Sequence, residues 1–152
     1  MAAGLALSGK TVFIYSIVSF LTLRCLEQIS VDLASMNLNV NIVGVGSGFT
    51  YSSDGPTHHG IFDISMLNSL PGIIITAPKD GNELRDLLYT AITSNKAIAI
   101  RYPKENCTVY NSKEKLSMIS IGEWEYLSKG SDIAILAVGS MVKKCQNILN
   151  NN

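Results

Sequence analysis

Long apolar runs, paired cysteines and an excess of either charge are all scarce in this 152-residue sequence. The longest strongly apolar stretch, Thr11 to Leu23, covers 13 residues between Lys10 and Arg24. A membrane span needs about 20 residues, so this run is too short to cross a bilayer. The chain beyond Arg24 continues as an amphipathic helix and offers no small-x-small cleavage site, so no export signal is expected. The three cysteines, Cys25, Cys107 and Cys145, are odd in number and far apart. That argues against a disulfide framework and a zinc cluster, and fits a reducing, cytoplasmic compartment. Twelve basic side chains cancel twelve acidic ones, leaving no electrostatic footprint for nucleic acid or an acidic membrane surface. Charged residues are only 16% and apolar residues 47%, the reverse of a disordered chain. With Gly at 12 and Pro at 4, collagen-like and low-complexity classes are also out.

What is present is an alternation of short β-branched runs with longer helical patterns. Met1 to Ser8 resembles the tail of a helix. Thr11–Ser16 predicts a strand. Leu26, Ile29, Leu33 and Met36 then fall on one helical face, with Glu27, Gln28 and Asp32 on the other and Asn37 as a stop. Val40–Val45 predicts a second strand, Ile61–Leu70 a short helix, and Gly72–Ala77 a third strand ended by Pro78. Asp80 and Glu83 form the D-x-x-E helix start, and Leu84, Leu87, Leu88, Ala91 and Ile92 give the clearest apolar stripe. Ala97–Tyr102 predicts a fourth strand. The strand runs are near-continuously apolar, which predicts strands buried on both faces. The expected class is therefore α/β, a three-layer α/β/α arrangement around a mainly parallel sheet. Residues 103–131 carry clustered charge (Lys104, Glu105, Lys113, Glu114, Lys115) and read as a connection. Asp132–Val138 predicts a further buried strand, with a helix start behind it.

The segment with the most chemistry is Gly44–Asp63, GVGSGFTYSSDGPTHHGIFD. It follows a strand, so it belongs at the carboxyl edge of the sheet, where open α/β sheets bind ligands. It reads equally as a glycine-rich surface loop with a solvated His58. A dinucleotide fingerprint needs G-x-G-x-x-G opening a helix. Here the spacing is G-x-G-x-G, and Asp63, the tempting acidic partner, falls inside the next predicted helix. A zinc site from His58, His59 and Asp54 or Asp63 lacks an i, i+4 pair. No G-x-S-x-G is present for a serine hydrolase. Arg101 ends an otherwise apolar strand. It either snorkels to solvent or offers its planar fork to phosphate or carboxylate. Tyr15 and Phe20 flank the end of the first strand, where an aromatic either packs in the core or stacks on a flat ring.

Together, MAAGLALSGKTVFIYSI, FLTLRCLEQI, IVGVGSGFTYSSDGPTHHGIFDI, LPGIIITAPKDGNEL and AIAIRYPK resemble the pyrimidine-binding, central domain of the transketolase family. The same layout occurs in 1-deoxyxylulose-5-phosphate synthase and, more loosely, in β subunits of 2-oxo acid dehydrogenases. The resemblance implies the thiamine diphosphate-binding fold. It implies a site between two subunits: one domain holds the diphosphate and a divalent metal such as magnesium, and the partner's pyrimidine domain holds the aminopyrimidine. By this resemblance Phe20, or alternatively Tyr15, stacks on that ring. Asp54 and His58 contact sugar hydroxyls, and Arg101 contacts the substrate phosphate, with Lys104 nearby. Such chemistry is carried by the cofactor, and the protein orients it.

Two family features are missing from these residues. The catalytic glutamate lies just before the segment that here starts at Met1, and the G-D-G metal–diphosphate motif does not occur. The expected organisation is a pyrimidine-binding domain over 1–112 without its amino-terminal part, a linker over 113–131, and the start of a carboxy-terminal transketolase domain over 132–152. The expected function is the central piece of an enzyme moving two-carbon ketol units between sugar phosphates, inactive by itself and free of metal and of a catalytic residue. The alternative is a non-catalytic module or split subunit. Its partners would be a sugar phosphate and either a homodimer mate or a complementary subunit carrying the diphosphate domain.

Overall fold

A computed structural model describes residues 1–106, 111 and 115–150. Cys107, Lys113, Glu114, the boundary between residues 112 and 113, and the terminal Asn151 and Asn152 lie outside the described residues. In chain order the elements are α1 (Ala2–Leu7), β1 (Val12–Ile17), α2 (Val18–Leu21), α3 (Leu26–Gln28, running on into a wider turn over Ile29–Ala34), β2 (Val40–Val45), α4 (Asp63–Asn68), β3 (Ile73–Thr76), α5 (Gly81–Thr93), β4 (Ala97–Tyr102) and α6 (Met141–Asn150). The four strands form one parallel sheet in the order β1-β2-β4-β3. Register sets Tyr15 beside Val43, Val43 beside Ile100, and Ile100 beside Thr76. All carboxyl ends therefore lie on one edge.

The two sheet faces are covered unequally. On one, Val12, Val40, Ile42 and Ala99 pack with Ile29, Leu33 and Leu67, backed by Ala2, Ala3 and Ala6 of α1. On the other, Ile98 and Ile100 meet Leu87 and Ala91 of α5. The expected burial on both faces is true of the central strands, β2 above all. It fails at the edge strand β1, where Phe13 and Tyr15 are exposed, because α5 lies over β3 and β4 and does not reach them.

Two helices depart from their sequence patterns. In the turn after α3, Ser35 N–H donates to Ser30 O at 2.9 Å and Leu38 N–H to Leu33 O at 2.9 Å, both i→i+5 bonds. This wider winding advances more slowly around the axis, so Ile29 and Leu33 stay buried while Met36 turns out to solvent. At the end of α5, Ile92 is likewise exposed. Its start follows the D-x-x-E pattern: Asp80 Oδ1 accepts the Glu83 N–H at 2.9 Å.

The run at 132–138 is a correction. Residues 133–138 belong to no strand, and Ile133, Ile135, Leu136 and Val138 are all exposed. A β-branched run needs a neighbouring ladder to become a strand, and residues 133–138 pair with none of the four strands. The connecting segment is better anchored than its composition suggests. Thr90 Oγ1 accepts the Ile119 N–H at 2.9 Å, and Ser117 Oγ donates to Asp86 at 2.8 Å. Burial works to raise the Asp86 carboxyl, but Ser117 and the Arg85 guanidinium outweigh it and hold it below its ordinary value.

At the amino edge of the sheet, Asn41 is fully buried. Its Oδ1 accepts the Ile98 N–H at 3.2 Å, and its amide reaches Asn39, which bonds Asn95 at 3.0 Å. Asn41→Ala strands a backbone donor inside the core and should cost about 2 kcal/mol. A urea unfolding midpoint within error of wild type would show that this bond contributes nothing.

Candidate functional site

The carboxyl edge is capped by the loop that follows β2. The N–H groups of Gly46 and Ser47 donate to Tyr102 O at 2.8 and 3.0 Å, which ties the loop to the end of β4. Gly48 and Gly60 then exchange two backbone bonds, of 2.8 and 2.9 Å. The chain between them is a closed Ω-type loop with its ends pinned together. Gly46 has a positive φ, and the Tyr51 ring lies where its Cβ would stand. Gly60 is packed against Val18 and Gly46 O.

The loop docks on α2 through one carbonyl. Thr57 O accepts Ser19 Oγ at 3.0 Å and Arg24 Nη2 at 3.1 Å. This brings the His58 ring edge-on to Phe20, 4.8 Å between centroids, with Tyr51 behind it at 6.1 Å. The Arg24 guanidinium lies over the Phe20 ring at 3.8 Å, a cation–π contact. His59 turns the other way, onto Phe49, and its Nε2 is buried without a partner. Among the described residues no group of three or more His, Cys, Asp or Glu is placed to hold a metal ion.

Arg101 does not snorkel. Its Nε donates to Asp63 Oδ2 at 2.5 Å and its Nη2 to Gly60 O at 3.3 Å. The side chains are 17% and 2% exposed. Tyr102, the next residue, meets the Tyr15 hydroxyl. Burial first, then Tyr15 and Tyr51, push its phenol well above the ordinary value, so it stays protonated.

The sequence-derived residues are thus partly assembled. Phe20 and His58 are in contact, and Arg101 lies just across Gly60 from them. Tyr15 shares the edge but is 65% exposed. Asp54 sits at the loop's exposed tip, in the turn Ser52–Asp54. Cavities of about 440 and 230 Å³ flank α5, and neither is lined by Asp54, His58 or Arg101.

The sequence model described as transketolase, pyrimidine binding domain, matches residues 1–109. The chain belongs to that family. A curated relative, 1-deoxy-D-xylulose-5-phosphate synthase of Dictyoglomus turgidum, is 47% identical over 143 residues, 93% of this chain and 22% of its own. The corresponding synthase of Shouchella clausii is 40% identical over 150 residues, covering 98% of this chain and 24% of its own. The chain therefore spans under a quarter of these relatives' length. Among solved structures, a split-gene transketolase described as an inactive β4 tetramer superposes with a TM-score of 0.81 at 25% identity, over 99% of this chain and 48% of that one. The transketolase of Campylobacter jejuni, at 20% identity, shares the fold with a TM-score of 0.63 over 72% of this chain and 17% of that one.

Within this pyrimidine-binding domain, Arg24 and Tyr102 escaped the sequence reading, and Asp63, weighed there for a nucleotide or zinc, was not paired with Arg101. Arg24 was legible in principle, since it stands one turn after Phe20 on a continuous helical pattern. Asp63 had a weaker signal: a cation at the end of a buried strand needs a counterion, and few acids are near in sequence. Tyr102 carried none, because its partner Tyr15 comes from β1, which lies across β2 from β4 and far away in sequence.

Proposed function

We propose that this chain supplies the aminopyrimidine half and part of the substrate wall of a transketolase-type, thiamine diphosphate-dependent enzyme acting on sugar phosphates. The observation that carries the reading is the closed loop between Gly48 and Gly60. It sets His58 on Phe20 and its Gly60 carbonyl on Arg101 along one edge. The half-buried Phe20 ring and the nearby polar His58 suit a flat, hydrogen-bonding heterocycle, so these residues fit the aminopyrimidine. Thiamine diphosphate would supply carbanion chemistry through its thiazolium ring. Here Phe20, with Tyr15 as the alternative, would stack on the aminopyrimidine. His58 and Asp54 would hydrogen-bond the vicinal hydroxyls of the sugar, and Arg101 its terminal dianion. The diphosphate and its divalent metal would be held by residues outside these 152, on another domain or a complementary subunit. Residues 113–131 would then be a linker and 132–152 the beginning of a further domain.

Two reactions fit this site. The motifs imply transfer of a two-carbon ketol unit between sugar phosphates. The 40–47% identity to synthases of 1-deoxy-D-xylulose 5-phosphate favours formation of that product, and we take this as the preferred reaction. The purified chain is mixed with a polypeptide carrying the diphosphate-binding half, thiamine diphosphate and magnesium. Turnover is expected in the mixture and not with either chain alone. Turnover by the chain alone refutes the half-site reading. Co-elution without turnover selects the non-catalytic module instead.

A further inference from the structure

Asp63 balances the charge of Arg101, but the geometry of the pair is more specific than charge balance requires. It opens α4 yet makes no capping bond to its own helix. Its side chain is 2% exposed. One oxygen serves Arg101, and the other is buried with no donor. Leaving a buried carboxylate oxygen unbonded is costly, so the arrangement calls for a purpose at the guanidinium. Its geometry there is specific. Asp63 takes the Nε–H alone, not the Nη pair, and the Gly60 carbonyl takes one Nη2 proton. Gripping the inner nitrogen fixes rotation about the guanidinium bond. The Nη1 protons and the second Nη2 proton make no bond to the described residues. A fork clamped at its base, with its outer donors unused, matches the bidentate recognition of a phosphate.

We propose that Asp63 is the positioning residue for Arg101, orienting its outer Nη donors for the terminal phosphate of the substrate. This rests on the assignment of Arg101 to that phosphate, and the experiment separates the two claims. The complete chain is titrated with inorganic phosphate while the side-chain N–H resonances of Arg101 are followed by NMR, in wild type and in Asp63→Asn. Asparagine keeps the shape and one acceptor but removes the charge that fixes the fork. Wild-type Arg101 should shift saturably, and Asp63→Asn should need about tenfold more phosphate for the same shift, the usual weight of a charge-assisted bond. No response of Arg101 in wild type removes Arg101 from phosphate recognition, and the proposal with it. A wild-type response matched by Asp63→Asn overturns the positioning role alone. If Asp63→Asn does not fold, Asp63→Glu, which displaces the carboxylate by one methylene, is titrated in its place with the same two outcomes.

Discussion

Gly60→Ala should destabilise the domain by about 3 kcal/mol, the upper end of the range for overpacking a tight site. A Cβ at this position would stand 2.4 Å from Val18 Cγ1, 2.7 Å from Gly46 O and 3.1 Å from Ser47 Cα. Two of those three atoms are backbone, so the strain cannot be relieved by a rotamer change. The loop would have to lift, breaking its two bonds to Gly48 and withdrawing the carbonyl from Arg101. Gly48→Ala is the control. It has a positive φ but nothing within 4 Å of its Cβ, so it should cost only about 1–2 kcal/mol of backbone strain. Urea unfolding of both variants checks the contrast. Gly60 itself has no positive φ, so equal losses would mean that the loop accommodates the added Cβ and that close packing does not demand glycine there.

Asp63→Ala should cost about 3–5 kcal/mol, because it leaves the Arg101 cation largely buried with no counter-charge. Most of that loss belongs to the orphaned charge and not to the attraction forfeited. The double variant Asp63→Leu, Arg101→Met should therefore recover the greater part of it. Thermal or urea unfolding of the three variants decides. A double variant as unstable as Asp63→Ala would show instead that the pair holds α4 to β4 by direct bonding.

Much of the fold was legible because the signals were local. Val40–Val45 and Ala97–Tyr102 are strands at their predicted bounds; their apolar runs are short, β-branched and fenced by Gly, Pro or Asn. Asp80 was legible because a capping residue contacts only its own first turn. The failures needed information from elsewhere in the chain. Met36 leaves the core because the helix before it widens, and nothing in an apolar period reports the winding. Ile133–Val138 has strand composition, but composition cannot supply a pairing partner. For the site, residue types and edge placement were readable from the Gly44–Asp63 motif. The Arg101–Asp63 pair was not. It joins residues 38 apart, and the helical position of Asp63 concealed that it faces inward.

The unpaired hexapeptide from Ile133 to Val138 has a consequence for the protein in solution. It is uncharged, rich in branched side chains, and has no ladder partner among the described residues. Segments of this kind stack in register into cross-β fibrils. Asp132 on one flank and Gly139 on the other are the only adjoining gatekeepers. The isolated chain should therefore be lost to self-association governed by concentration well before heat unfolds its sheet, and an acidic substitution within the hexapeptide is the direct way to keep it dispersed.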